Sequence, residues 1–287
     1  DDAFSSNRAV AAFQKMNSFG GVDLVVNLGS STGHALAPAT EARKLPFIAI
    51  ASDGSISAGR KYTMNFWVTP RGELKALLPE MRRMGVKKVA RIGTQHDFTH
   101  SIKREWDSIM GKEFAVVQDE EFPSEIREFK SWIAKVKNEP NVDAIVVILF
   151  PGQLGIFAKQ LREGGVLAPM LGVETFEEPG EVKVSGGALV GQVYANYAAP
   201  SGDFLTKYKE RFPKSGMMGA ANGHDIILML AAAIKAGIAA DKLNDYFHSI
   251  KDFTGCMGTY SAETNNTFDL PAELKIVTKD GFEAVKR

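Results

Sequence analysis

Cysteine is nearly missing from this chain of 287 residues: Cys256 stands alone, which excludes an internal disulfide and any metal cluster built on several thiolates. Net charge is missing too. Lys plus Arg and Asp plus Glu both number 34, so no basic field exists to recruit nucleic acid or an anionic membrane surface. Long apolar runs are lacking as well. The longest, 144–150 and 226–234, reach about half of the ~20 residues that cross a bilayer. Residues 1–20 read as a charged and polar helix rather than the apolar core of a signal peptide, a segment that a secreted protein would have lost on processing. Internal repeats and low-complexity tracts are absent from the sequence.

Catalytic signatures are equally scarce. The string GSSTG at 29–33 lacks the lysine of a phosphate-binding loop. Ser30, His34 and Asp53 can be drawn as a triad, but Ser30 lacks the G-x-S-x-G turn that exposes a nucleophile. His96 and His100 lie four apart in GTQHDFTH, a strand-to-helix context rather than the HExxH helix of a zinc site. Neither a metal nor a cofactor is expected from these residues.

What is present is a regular alternation. Helices are expected at 6–18, 31–43, 72–84, 99–110, 124–137 and 153–163, with strands at 22–28, 46–50, 87–93, 113–118, 143–149 and 169–173 between them. Helices follow at 202–211, 219–236 and 240–249, and a last strand at 273–278. Strands alternating with helices over short connections imply an α/β chain with doubly wound parallel sheets covered on both faces. A hydrophobic content of 45% in 287 residues supports two cores, hence two lobes. Chain crossings between lobes are expected at 64–70, where MNFWVTP ends in a proline, at 188–197, and near 256–260.

The stretch 25–57 carries the strongest binding signal. Two short apolar runs end in small polar residues, at Gly29 and Ala51, and Ser30, Ser31 and Thr32 then open a helix. Backbone N–H groups, hydroxyls and a helix N-terminus converge past a strand end, a setting for a carboxylate or another small anion. The ordinary reading of Ser30 and Ser31 as helix caps uses the same geometry. Glu174 ends the apolar run at 169–173, and such an acid is ordinarily solvated.

These residues also resemble a known family. A strand ending in Leu-x-Ser-Ser, an Ala-rich helix, and Leu45-Pro46-Phe47-Ile48 before a small-residue turn are similar to the ligand loop of the leucine/isoleucine/valine-binding proteins. Asp1-Asp2 before the first helix, 143–150, QLREGGVLAPMLGVE at 160–174 and ANGHDIILMLAAAIKAG at 221–237 resemble further segments of that family in the same order. The resemblance implies a type 1 periplasmic-binding fold whose two doubly wound lobes are joined by a three-strand hinge. Lobe one would comprise 1–67 and 199–257, and lobe two 68–198 and 258–287. It implies that Ser30, with Ser31 beside it, binds a ligand α-carboxylate, that the Ala51 carbonyl takes the ammonium, and that Glu174 pairs with that ammonium. Asp53 stands where the family commonly has threonine, and a carboxylate there repels a ligand carboxylate unless it meets an ammonium or turns away. Phe98 and Phe150 fall where the family often places tyrosines, or are simply core aromatics. Compared with the family, the chain is expected to start about fifty residues late. The implied function is capture of an amino acid or similar solute in a cleft between lobes, in the periplasm or otherwise outside the cytoplasm, for the membrane permease of an ABC importer. A sensory module with the same fold and a doubly wound enzyme remain as alternatives at this point.

Overall fold

A computed structural model describes residues 2–213, 217–268 and 270–286. The chain divides into two compact units, residues 1–69 with 199–271 and residues 70–198 with 272–287. The boundary at 69/70 lies within 64–70, and the one at 198/199 lies just beyond 188–197. The third lies at 271/272 rather than near 256–260, so 258–271 belongs to the first unit and not to lobe two. The reason is packing: Tyr260 and Phe268 both lie against Phe66, with ring centroids 5.0 Å away in each case, and Phe268 N–H donates to the carbonyl of Asn65.

The first unit begins with α1 (Ser6–Ser18), β1 (Val25–Leu28), α2 (Ser30–Ala42), β2 (Phe47–Ile50) and β3 (Thr63–Asn65). The three strands pair in the order β1-β2-β3, all parallel. Helix α2 lays Leu36 and Ala37 on this sheet, and α1 adds Ala9 and Phe13 to the same core. The strand is shorter than the expected 22–28 because its partner register opens only at the Val25–Phe47 pair.

The second unit runs through α3 (Pro70–Arg83), β4 (Lys88–Thr94), α4 (Asp97–Ile109), β5 (Ala115–Phe122), α5 (Lys130–Asn138), β6 (Ala144–Ile148), α6 (Leu154–Glu163), β7 (Met170–Gly172), α7 (Pro179–Val184) and β8 (Val193–Tyr197). The chain then returns to the first unit with α8 (Gly202–Arg211), α9 (Ala220–Lys235), α10 (Leu243–Ser249) and the hairpin β9 (Phe253–Gly255) and β10 (Gly258–Tyr260), and ends in the second with β11 (Ala272–Val277) and β12 (Phe282–Ala284). The second unit's sheet has the order β12-β11-β8-β7-β6-β4-β5, with only β11 running antiparallel to β8 and β12. Its inner strand β6, AIVVI, reads as a continuous apolar run because both faces are covered. Ile92, Ile145 and Val147 point into a core with Trp132 and Phe157, while Val89, Val146 and Ile148 point into another with Trp106 and Leu77.

Helix α5 begins at Lys130, not at 124. The Gln153 amide donates to the carbonyls of Pro123 and Ile126, so those acceptors are withheld from a helix. Strands β3 and β12 and helix α7 are too short to have shown a period in the sequence. Helix α7 is nonetheless fixed: both Glu181 carboxylate oxygens accept N–H groups at the start of α6, from Gly152 and Gly155, at 2.6 Å each. Glu181→Ala is expected to lower stability by about 1.5–3 kcal/mol, since it strands two N–H donors, one of them buried. Urea denaturation reads this directly, and an unchanged midpoint would remove Glu181 from the account of how α7 is held.

Candidate functional site

The seven residues singled out from the sequence sit at carboxyl ends of parallel strands, where ligands of open α/β sheets bind. Four belong to the first unit. Gly29 follows β1 with φ +109°, a conformation open to glycine, and it is the N-cap of α2 without any side-chain cap. Ser30 and Ser31 therefore occupy the first helical turn rather than capping it. Ser30 is buried, while Thr32 is locked in place, accepting from the Asn27 amide at 2.7 Å with its own hydroxyl 3.1 Å from the carbonyls of Leu28 and Gly29. The first-turn N–H groups of this 13-residue helix point away from the helix body beside these serines.

Ala51 and Asp53 follow β2, and a residue the sequence did not flag holds both. The Asn65 amide, at the end of β3, donates to the Ala51 carbonyl at 2.9 Å and to the Asp53 carbonyl at 3.0 Å. The pull of Asn65 fixes the loop, while the Ala51 oxygen retains a second lone pair. Asp53 is 2% exposed and its carboxylate is engaged: Oδ1 accepts from Ser55 N–H and Ser55 Oγ, and Oδ2 lies 2.9 Å from His34 Nε2 on α2. The sequence posed a choice between meeting an ammonium and turning away; the carboxylate turns onto His34 and Ser55.

Three belong to the second unit. Phe98, in the first turn of α4 beyond β4, is buried in the core beneath that helix, and half-buried Phe150 follows β6. Their rings are 5.8 Å apart, and His96 joins them at 4.7 Å from Phe150. His96 is the N-cap of α4: its Nδ1 accepts the Phe98 N–H at 3.2 Å, and burial lowers its pKa, so the imidazole in this aromatic group is neutral. Glu174 opens a short 3₁₀ turn after β7 and is 9% exposed, against the expectation of a solvated acid. Its N–H donates at 3.1 Å to Oε1 of Glu73 on α3, which is fully buried.

Potential metal ligands meet once among the described residues, where donor atoms of His224, Asp225 and Cys256 lie within 4.8 Å of one another. The Asp225 carboxylate there already receives Cys256 N–H, Met257 N–H and Tyr260 O–H, with His224 Nδ1 at 3.0 Å, so its lone pairs serve the fold. Burial and the adjacent Asp225 push the Cys256 thiol far above its ordinary pKa, which keeps it protonated and a poor metal ligand.

Comparison with known proteins fits this architecture. The periplasmic binding protein family matches residues 1–278. The chain belongs to that family. Its members bind solutes rather than catalyse reactions, and the enzyme alternative ends there. Solved structures of similar fold include a leucine-binding protein from Thermotoga maritima, 19% identical, with a TM-score of 0.89 over 100% of this chain and 85% of the other. A branched-chain amino-acid transporter substrate-binding protein from Streptococcus pneumoniae, in complex with isoleucine, is 19% identical with a TM-score of 0.86, covering 100% and 86%. An ABC transporter solute-binding protein from R. palustris, in complex with benzoate, is 16% identical with a TM-score of 0.87, covering 99% and 82%. No curated protein matches the sequence. Among the described residues, no helix is long and apolar enough to cross a membrane.

Proposed function

We propose that this chain is the extracytoplasmic solute receptor of an ABC importer and captures an amino acid or a closely related solute for a membrane permease. The observation that carries the reading is the pair of opposite polarities on strand ends: in the first unit a helix N-terminus with Ser30 and Ser31, in the second a buried acid, Glu174, beside the neutral aromatic group of His96, Phe98 and Phe150. An α-amino acid carries the matching groups. Its carboxylate suits N–H donors and serine hydroxyls, its ammonium suits the Ala51 carbonyl and Glu174, and its side chain suits phenylalanine rings without hydroxyls. With its carboxylate held by His34 and Ser55, Asp53 supports the loop in this reading instead of meeting solute.

A second reading follows from the same aromatic group: an aromatic carboxylate, the class of ligand present in the R. palustris relative, needs the helix N-terminus and the rings but not Glu174. Melting temperature across leucine, isoleucine, phenylalanine, benzoate, sugars and nucleotides separates the two. Amino acids are expected to raise it, by about 2.7 kcal/mol of added stability at a hundredfold excess over Kd. Benzoate acting alone would favour the second reading, and sugars acting alone would overturn both. With the responding amino acid, Glu174→Gln and Ser30→Ala are each expected to weaken binding by about one to two decades in titration calorimetry, the cost of a charge-assisted contact.

A further inference from the structure

Glu73 is not among the residues that the family resemblance marks, yet it is a fully buried acid in direct contact with Glu174. It lies in the first turn of α3, where the helix dipole favours a negative charge. Burial outweighs the dipole. Desolvation, and after it the nearby Glu174 charge and a carboxyl-to-carboxyl hydrogen bond, raise the Glu73 pKa well above its ordinary value. The hydrogen bonding agrees: Glu73 Oε1 accepts the Glu174 N–H, while Glu73 Oε2 is buried with no N–H or O–H donor from the protein among the described residues. A proton on Oε2 supplies what that oxygen lacks.

Several cations on and around α3 are engaged elsewhere. On the elements packed against α3, Lys275 of β11 pairs with Glu177 at 2.9 Å, Tyr194 of β8 donates to the same Glu177, and Lys103 of α4 pairs with Asp119 and Glu121 on β5. Arg71, on α3 itself, pairs with Glu105 on α4.

We infer that Glu73 and Glu174 hold one proton between them, so that the pair meets a solute with a single negative charge centred on Glu174 and selects a ligand bearing one cationic nitrogen. Glu73 acts through Glu174 as a positioning residue. Its Oε1 fixes the main chain at 174, and its proton keeps the Glu174 carboxylate from facing a second buried charge. Two ionised acids there would demand a dication or a metal ion. One shared proton suits an ammonium instead. The selection rests on the reading that Glu174 faces the solute, but the shared proton does not.

The two parts are tested separately. Infrared spectra of the ligand-free wild-type protein at pH 7 are expected to show a protonated carboxyl, which ordinary Asp and Glu side chains do not keep at that pH. Glu73→Gln should abolish the band. Its absence from the wild type, or its persistence in Glu73→Gln, overturns the shared proton. For selection, leucine and its deaminated analogue 4-methylpentanoate are the probes. Glu73→Gln, whose amide is neutral like the protonated acid, is expected to bind leucine within about threefold of wild type, whereas Glu174→Gln should lose at least tenfold. A tenfold loss in Glu73→Gln would mean that Glu73 itself supplies charge, which overturns the single-charge pair. Equal binding of leucine and 4-methylpentanoate, or wild-type leucine affinity in Glu174→Gln, overturns the selection and the placing of the ammonium at Glu174 while leaving the infrared result to stand.

Discussion

Asp225→Ala is expected to be the most damaging single substitution in the first unit, costing about 3–5 kcal/mol and leaving 253–260 unable to hold its place. Asp225 is fully buried on α9, and its two oxygens gather the N–H groups of Cys256 and Met257, the hydroxyl of Tyr260 and the ring nitrogen of His224. Hydrogen bonds to a charged acceptor contribute about 1.5–3 kcal/mol each when removal strands the donor, and here two donors are main-chain groups that cannot rotate away. Alanine also opens space beside Gly255, where a Cβ would collide with the Asp225 carboxylate. The hairpin matters beyond itself, because Tyr260 packs on Phe66 and Phe268 and so joins 258–271 to the first unit. Urea denaturation and hydrogen exchange of the 256 and 257 amides check this. A loss under about 1 kcal/mol, with those amides still protected, would show that the carboxylate does not hold the hairpin.

Much of this fold was legible because its sheets are parallel and buried. Strands such as AIVVI at 144–148 carry apolar residues at every position, and amphipathic helices separate them, so order and type of element follow from periodicity alone. The helix α9, Ala220–Lys235, was read to within a residue at each end for the same reason. Periodicity failed where structure is set by side chains far apart in sequence. The segment 258–271 looked like the start of the last lobe, and contacts distant in sequence, among them those of Tyr260 and Phe268 with Phe66 some two hundred residues earlier, place it in the first unit. The candidate site divides along the same line. Strand ends marked Ser30, Ala51 and Glu174, but nothing local announced that Asn65 would tie down 51–53, that Asp53 would turn onto His34, or that Glu73 would lie against Glu174 from 101 residues away. A polar residue inside an apolar stretch, as Asn65 is in MNFW, is the local signal that could have led to it.

Gly172→Ala is expected to strike stability and binding together. Gly172 ends β7 between Val147 of β6 and Tyr194 of β8, so its backbone is fixed from both sides. The Phe176 ring lies directly on its Cα, and an added methyl would fall inside the ring edge. Neither party can yield easily. Phe176 is fully buried and stacks on Tyr194 at 5.9 Å, while the Tyr194 hydroxyl donates to Glu177. Overpacking of this kind costs about 3 kcal/mol, the upper end of the usual range, because relief requires moving the 174–176 turn. That movement carries Glu174 away from Glu73, so leucine affinity should fall by at least tenfold even in the fraction that remains folded. The cause can be isolated by pairing the substitution with Phe176→Leu, which removes the ring edge. The double variant should be more stable than the sum of the two single losses by about 1 kcal/mol or more, as coupled neighbours require, and should recover part of the lost affinity. Strictly additive losses, or leucine binding that survives Gly172→Ala intact, would mean that the turn bearing Glu174 is not positioned by the packing of Phe176 on Gly172.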